Sequence, residues 1–250
     1  MIKMIATDLD CTLLRTDLTI SEHTKSVLRR CREAGIKVIY ATARESSAAE
    51  FVPSELFDGR VLMNGALGFD GNAGVYHRLV PMDLARNLLL ACAERGLCIS
   101  AQCSGMNYSN FDLSEKWSEV YNFKITDFRT HNIPAEKLYM LVESESDIEF
   151  IRNHIPQGLY LTVSRDNLAQ VMHTEATKSL AISAVAAHWG ILPKEIAAFG
   201  DDLNDIDMLK FCGTGVAMGN ALPEVKAVAD HVCGTNDEDG LANWLLENVL

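Results

Sequence analysis

One stretch near the start of the chain constrains the fold more than any other: Met4-Ile5-Ala6-Thr7-Asp8-Leu9-Asp10-Cys11-Thr12-Leu13-Leu14. An apolar run rich in branched residues carries two carboxylates at its C-terminal end, two positions apart. In an open parallel sheet, ligands bind beyond the carboxyl ends of the strands. Two acids held that close repel each other, and a fold keeps both ionised by setting a cation between them. An Asp carboxylate can also act as a nucleophile and form an aspartyl-phosphate. The stretch therefore points to metal-assisted phosphoryl transfer, against the plainer reading of two solvated acids in a loop.

The rest of the chain supplies a sheet to carry it. Lys3 to Leu9 reads as a strand. A helix capped by Thr19 or Ser21 follows, with Thr19 and Glu22 in capping-box spacing, and stops at Gly35. Lys37 to Ala41 is a second strand, then Thr42-Ala43-Arg44 and a helix from about Glu45. Arg60 to Met63 is a third strand, ending in Asn64-Gly65-Ala66. Strand and helix alternating through short links predict a parallel α/β sheet. The rhythm then breaks. Phe69 to Tyr76 reads as a hairpin with glycines at its turn. Met82 to Arg95 is a helix closed by Gly96. Strands are expected at Cys98–Gln102, Lys137–Val142, Leu159–Val163 and Leu168–Met172, with a helix near Ser144–Asn153 and another from Ser114. The α/β rhythm returns with a helix from Lys178 to Trp189 and a strand at Glu195–Phe199. A helix at Asp205–Phe211, a strand at Thr214–Met218 and helices from Pro223 and Gly240 complete the chain. The expected fold class is α/β: a core of residues 1–80 and 174–250, split by an inserted α+β unit of residues 81–173. An insert of that size suits a site that must be closed from water.

Composition narrows the partners. The 250 residues carry a net charge of -12, which argues against nucleic acid or an anionic membrane. No run approaches the ~18 apolar residues of a membrane span. Seven scattered cysteines without a Cys-x-x-Cys pair fit reduced thiols in a cytoplasm, and the early start of the first strand leaves no room for a signal peptide. An acidic chain that handles a phosphate ester needs a metal and local Lys or Arg to reverse the field at the site.

Four strand-end features line up in order: Asp8 with Asp10, Thr42, Lys178, and Asp201-Asp202 with Asn204-Asp205. Asp8 and Asp201 offer the hard oxygens that Mg²⁺ prefers. Asp8 is placed to attack phosphorus, and Asp10 to protonate the leaving oxygen and then deprotonate water. Thr42 and Lys178 can donate to phosphoryl oxygens as charge develops. Asn204 or Asp205 completes the metal shell or orients Lys178. Taken singly, Thr42 reads as a helix cap, Lys178 as a solvated first-turn residue and the acidic loop as a turn. Independent accidents would not all fall at strand ends.

At these residues the sequence resembles the haloacid dehalogenase superfamily, specifically its Cof-type (subfamily IIB) phosphatases. Asp8-Leu9-Asp10-Cys11-Thr12 is similar to the first motif of that family, Asp-x-Asp-Gly-Thr; Thr42 to the second; Lys178 to the third; and Phe199-Gly200-Asp201-Asp202-Leu203-Asn204-Asp205 to the fourth. Asn64-Gly65-Ala66 and Gly215 to Ala221 look like further landmarks. The resemblance implies a Rossmann-like core with a type C2 cap, Mg²⁺ as cofactor, and hydrolysis of small phosphomonoesters such as a sugar phosphate, pyridoxal phosphate or flavin mononucleotide. It implies that the backbone carbonyl of Asp10 joins Asp8 and Asp201 on the metal, and that Leu9, Thr42, Ala43 and Lys178 contact phosphate. Substrate choice is then expected of the insert, with Ser104, Asn107, Tyr108 and Arg165 as candidates.

Three positions depart from the pattern: Cys11, Ala43 and Ser179 stand where the family has glycine, and a Cβ there narrows backbone freedom. They leave open a phospho-ligand-binding or regulatory module whose catalysis has faded; a phosphotransferase or mutase, which would have to exclude water from the aspartyl-phosphate, is a further alternative. Cys11, beside the nucleophile, is also expected to be oxidation-sensitive where its thiol is accessible.

Overall fold

The computed structural model describes every residue except Ser46, Ser47, Ala49, Glu119, Arg165 and Asp166. It divides into two compact units, Met1–His77 with Thr177–Leu250, and Arg78–Ala176.

The first unit is built on an eight-stranded sheet. Strand β1 (Met4–Thr7) lies at its centre, with β2 (Lys37–Ala41) and β3 (Gly59–Leu62) parallel on one side. On the other side lie β12 (Ile196–Gly200), β13 (Thr214–Ala217) and the two-residue β14 (His231–Val232), also parallel. Strands β1 and β12 read as unbroken apolar runs because every one of their residues is buried. The hairpin β4 (Leu67–Asp70) and β5 (Ala73–His77) adds antiparallel to β3 and extends the same sheet. Helix α1 (Glu22–Glu33) packs beside α7 (Gly240–Asn248), and α4 (Lys178–His188) beside α5 (Ile206–Phe211). The cap of α1 is Ser21, whose hydroxyl accepts from the Thr24 N–H; the alternative, Thr19, instead donates to Asp17. The helix expected from about Glu45 falls partly outside the described residues. The strand order reverses on either side of β1, so the gap between the C-terminal ends of β1 and β12 is the sheet's switch point.

The second unit carries a six-stranded sheet ordered β10-β11-β9-β6-β7-β8: β6 (Ile99–Cys103), β7 (Met106–Ser109), β8 (Phe123–Ile125), β9 (Lys137–Leu141), β10 (Leu159–Val163) and β11 (Leu168–His173). Helices α2 (Met82–Glu94) and α3 (Glu145–His154) close an apolar layer on one face, where Leu88, Leu89 and Ile151 meet Ile99, Ala101, Leu138, Met140 and Val171. Two strands, β7 and β8, were not anticipated, and the helix expected from Ser114 is a single tight turn at Leu113–Glu115. Among the described residues, no helix is long and apolar enough to cross a membrane.

Candidate active site

The carboxyl end of β1 runs straight into the site. Asp8 is buried, and its backbone N–H donates to the carbonyl of Phe199 on β12. Lys178, the first residue of α4, donates through Nζ to Asp8 Oδ1 and to Asp205 Oδ1, both at 2.6 Å, with its side chain 1% exposed. A cation at a helix N-terminus is opposed by the dipole. Here the two carboxylates supply the local reason. They hold the ammonium charged, and its pKa is driven upward by Asp205 and Asp8 in spite of burial.

Asp205 is a structural hub rather than an open ligand. Its second oxygen accepts from the backbone N–H groups of Asp201 (3.0 Å) and Asp202 (3.1 Å), so both its oxygens are engaged. It fits under the β12 end because residue 200 is glycine; a Cβ there would lie 2.4 Å from the Asp205 Cβ. Of the two sequence expectations for this loop, Asp205 takes the orientation of Lys178. Asn204 donates through its amide Nδ2 to Asn64 Oδ1 at 3.0 Å, joining this loop to the turn after β3.

That turn is held in an unusual conformation. Met63, Asn64 and Gly65 all have positive φ (54°, 52° and 99°). A Cβ on Gly65 would stand 2.0 Å from the carbonyl oxygen of Thr177, so only glycine lets the turn reach the residue that caps α4. Thr42, at the end of β2, is fully buried, and its Oγ1 accepts from the Arg44 N–H at 3.1 Å.

Asp8, Asp201 and Asp205 each bring a carboxylate oxygen within 4.8 Å of the others. Because Asp205 is spent on Lys178 and on backbone donors, the oxygens open to a divalent cation belong to Asp8 and Asp201. Thr12 steadies Asp201 by donating to Oδ1 at 2.8 Å. Burial pushes the Asp201 carboxyl up to about 6 from an ordinary 3.8, with Asp205 and Asp202 adding repulsion. Burial raises Asp8 as well, opposed by Lys178. Hard oxygens that are poorly compensated in the bare protein are the donor set a hard divalent cation stabilises.

This raised carboxyl has a stability consequence. Between pH 3.8 and about 6, folded Asp201 keeps a proton that the unfolded chain has released, so its contribution to stability falls as pH rises through that window. The full fall is at most about 3 kcal/mol. The stability of the metal-free protein measured against Asp201→Asn, by urea unfolding at successive pH values, should drop across that interval. A constant difference would refute the assignment.

Three ties that the sequence did not reveal complete the site. Arg44 grips Asp10 with both arms, Nε to Oδ2 at 2.8 Å and Nη2 to Oδ1 at 2.6 Å. Asn220 donates from Nδ2 to the carbonyl of Cys11 at 2.7 Å, and Asn236 donates to the carbonyl of Leu14. Arg44 stands two residues after Thr42 in the sequence, but its pairing with Asp10 across 34 positions leaves no periodic signal.

The three departures from glycine separate cleanly. Cys11 has φ 57° and ψ 11°, the left-handed region, so its Cβ is a real strain. Ala43 and Ser179 are not at positive φ; Ser179 opens the first turn of α4, and its N–H donates to Asp207 at 2.9 Å. Cys11→Gly is therefore expected to stabilise the protein by about 0.5–1 kcal/mol, read as a rise in melting temperature; a fall would contradict it. The Cys11 thiol is exposed, the condition its expected oxidation sensitivity set, while partial burial and the charges of Asp201, Asp10 and Asp8 raise its pKa.

In the second unit, Ser104 occupies the β6–β7 turn at φ 51°, where its N–H donates to both oxygens of Glu136 (3.0 and 2.9 Å). Asn107 pairs with Gln102 and Phe123 across the sheet. Tyr108 packs its ring 4.2 Å from that of His131 against the apolar layer. Arg165 lies outside the described residues.

A parallel sheet with a Lys-bridged pair of aspartates at its switch point defines a class of phosphoryl-transfer hydrolases. The haloacid dehalogenase-like hydrolase family matches residues 5–245 of this chain. The chain belongs to the haloacid dehalogenase superfamily, among its Cof-type phosphatases. It is 29% identical to the 5-amino-6-(5-phospho-D-ribitylamino)uracil phosphatase YitU of Bacillus subtilis, over 98% of this chain and 96% of that protein. A Haemophilus influenzae relative is 33% identical over 99% of this chain and 98% of its own length. Among solved structures, the phosphatase BT1666 of Bacteroides thetaiotaomicron superposes with a TM-score of 0.86 at 26% identity, covering 99% of this chain and 95% of that one. The subclass IIB sugar phosphatase BT4131 superposes with a TM-score of 0.82 at 25% identity, covering 98% of each. The chain is thus an enzyme, a phosphatase of small phosphorylated substrates.

Proposed function

We propose that this enzyme hydrolyses a phosphomonoester of a polyhydroxylated metabolite through a phosphorylated Asp8, with Mg²⁺ as cofactor. The observation that carries the reading is Lys178 bridging Asp8 and Asp205, beside Asp201, at the switch point of the sheet. Lys178 holds Asp8 Oδ1, which leaves Oδ2 to attack. As the Oδ2–P bond forms, the bond from phosphorus to the substrate alcohol breaks, and the alcohol oxygen takes a proton from Asp10. Water then adds to phosphorus and gives its proton back to Asp10. The P–O bond to Asp8 breaks, releasing phosphate and restoring the carboxylate. Thr42, Lys178 and the backbone N–H groups of Leu9 and Ala43 would bind the phosphoryl oxygens. Asp8, Asp201 and the carbonyl of Asp10 would hold Mg²⁺, which supplies charge neutralisation for the transferring group.

The substrate reading draws on two relatives, one named for a phosphoribityl compound and one for sugar phosphates. In both, a phosphate sits on a hydroxyl-rich carbon chain. Ser104, Asn107 and Arg165 are proposed to choose among such substrates. The test is turnover of p-nitrophenyl phosphate with Mg²⁺ and with EDTA, followed by a panel of sugar and polyol phosphates. Metal-dependent turnover with preference for the panel supports the reading. A wild-type protein inert toward all of them would overturn it.

A further inference from the structure

Arg44 is the residue whose geometry exceeds what the reaction scheme uses. Its guanidinium holds both oxygens of Asp10 in a fork at 2.6 and 2.8 Å. The guanidinium carbon also lies over the ring of Phe51, 4.3 Å from its centroid. The backbone of Arg44 is fixed at both ends as well. Its N–H donates to Thr42 Oγ1 and its carbonyl accepts from the Met63 N–H at 3.0 Å. Asp10, by contrast, has a side chain 43% exposed and precedes the strained Cys11. Nothing in its own backbone aims that carboxyl. A half-exposed surface ion pair contributes little to stability, yet this one is bidentate, and a planar fork fixes a carboxylate's plane where a lysine fixes only a distance.

Resting on the function proposed above, we infer that Arg44 is a positioning residue that sets the orientation of Asp10, so that the loop binding phosphate through Thr42 also aims the acid that serves the leaving group. The same short segment then couples the two halves of the first step. As the P–O bond to the substrate alcohol breaks, the proton must pass from the Asp10 carboxylic acid to the alcohol oxygen. Proton transfer of this kind needs a donor within hydrogen-bond reach, and a carboxyl free to rotate spends most of its time elsewhere.

The experiment exploits the leaving group. Nitrophenolate departs as a stable anion and needs no proton, whereas a sugar alkoxide does. Arg44→Ala should lower kcat/KM, which ends at departure of the leaving group and so excludes the later water step common to all esters, about tenfold more on glucose 6-phosphate, or on the best alkyl phosphate of a panel with ribose 5-phosphate and glycerol 3-phosphate, than on p-nitrophenyl phosphate. KM should change less than about threefold on either. Arg44→Lys, which keeps the charge but not the fork, should recover part of the loss. Asp10→Asn should show the same leaving-group pattern, and adding Arg44→Ala to it should cost little more, because the two act as one unit. Equal losses on both ester types would mean a merely structural role and overturn the inference, as would additive losses in the double variant. A wild-type enzyme inert toward p-nitrophenyl phosphate and toward every ester of the panel would refute the proposed function itself, and Arg44's role with it.

Discussion

Replacing Lys178 with Met is expected to destabilise the folded enzyme by about 3–5 kcal/mol, because removing one member of a buried ionic cluster leaves the others without compensation. Lys178 touches Asp8 and Asp205 at 2.6 Å each, and all three are buried. Without the ammonium, two carboxylates must take up protons or draw in water. Methionine fills most of the lysine stem's volume, so the loss reports charge and not a cavity. Urea unfolding at pH 7 in EDTA measures it. Adding Asp205→Asn, which removes one of the two orphaned charges, should recover part of the loss. A destabilisation below about 1 kcal/mol would show that Lys178 is not the cation balancing the pair. Activity should fall by about 100–1,000-fold, the usual cost of one preorganised donor.

The second large effect separates chemistry from folding. Asp8→Asn should reduce turnover of p-nitrophenyl phosphate at least ~1,000-fold, since the loss of a nucleophile removes the step itself. Stability should move the other way or hardly at all. Burial already raises the Asp8 carboxyl in the metal-free protein, and a neutral amide of the same shape avoids that desolvation. In EDTA the variant should therefore melt close to the wild type. The rise in melting temperature that Mg²⁺ gives the wild type should shrink in the variant, because one of two charged ligands is gone. Retained turnover would remove Asp8 from the nucleophile's role.

Most of the sheet was legible because its central strands are covered on both faces and so read as unbroken apolar runs. Lys37–Ala41 matches its expected bounds residue for residue, and so does Leu159–Val163, a half-exposed edge strand of the second unit whose alternation of branched and aromatic residues marks it instead. What escaped has a physical reason in each case. Strand β14 is two residues long and β8 three, too short for any pattern. Strand β7, Met106–Ser109, is four residues long and carries Asn and Ser, too polar to read as a strand even though the turn before it, Ser104-Gly105, has both residues in the left-handed region. At the site, the charged residues announced themselves through spacing, since Asp8, Asp10 and Asp201 sit just past strand ends and Lys178 opens a helix. The hydrogen bonds that hold them did not. Arg44 with Asp10, Asn204 with Asn64, and Asn220 with Cys11 join loops that are remote in the chain. Sequence gives the members of such pairs, and only the folded sheet decides who meets whom.

The register of β1 against β12 has a consequence for how the protein is made. Met4 pairs with Ile196, so the innermost strand waits for a partner 192 positions downstream. At a synthesis rate of about 5–20 residues per second, one edge of a strand that is wholly buried in the finished protein stays unpaired on the ribosome for roughly 10–40 s. The unit formed by Arg78–Ala176 is contiguous and is complete before that partner appears. Nascent chains stalled short of residue 196 should thus present a finished middle and an open beginning to proteases and chaperones. A late-arriving strand, and not the insertion, sets the period of risk.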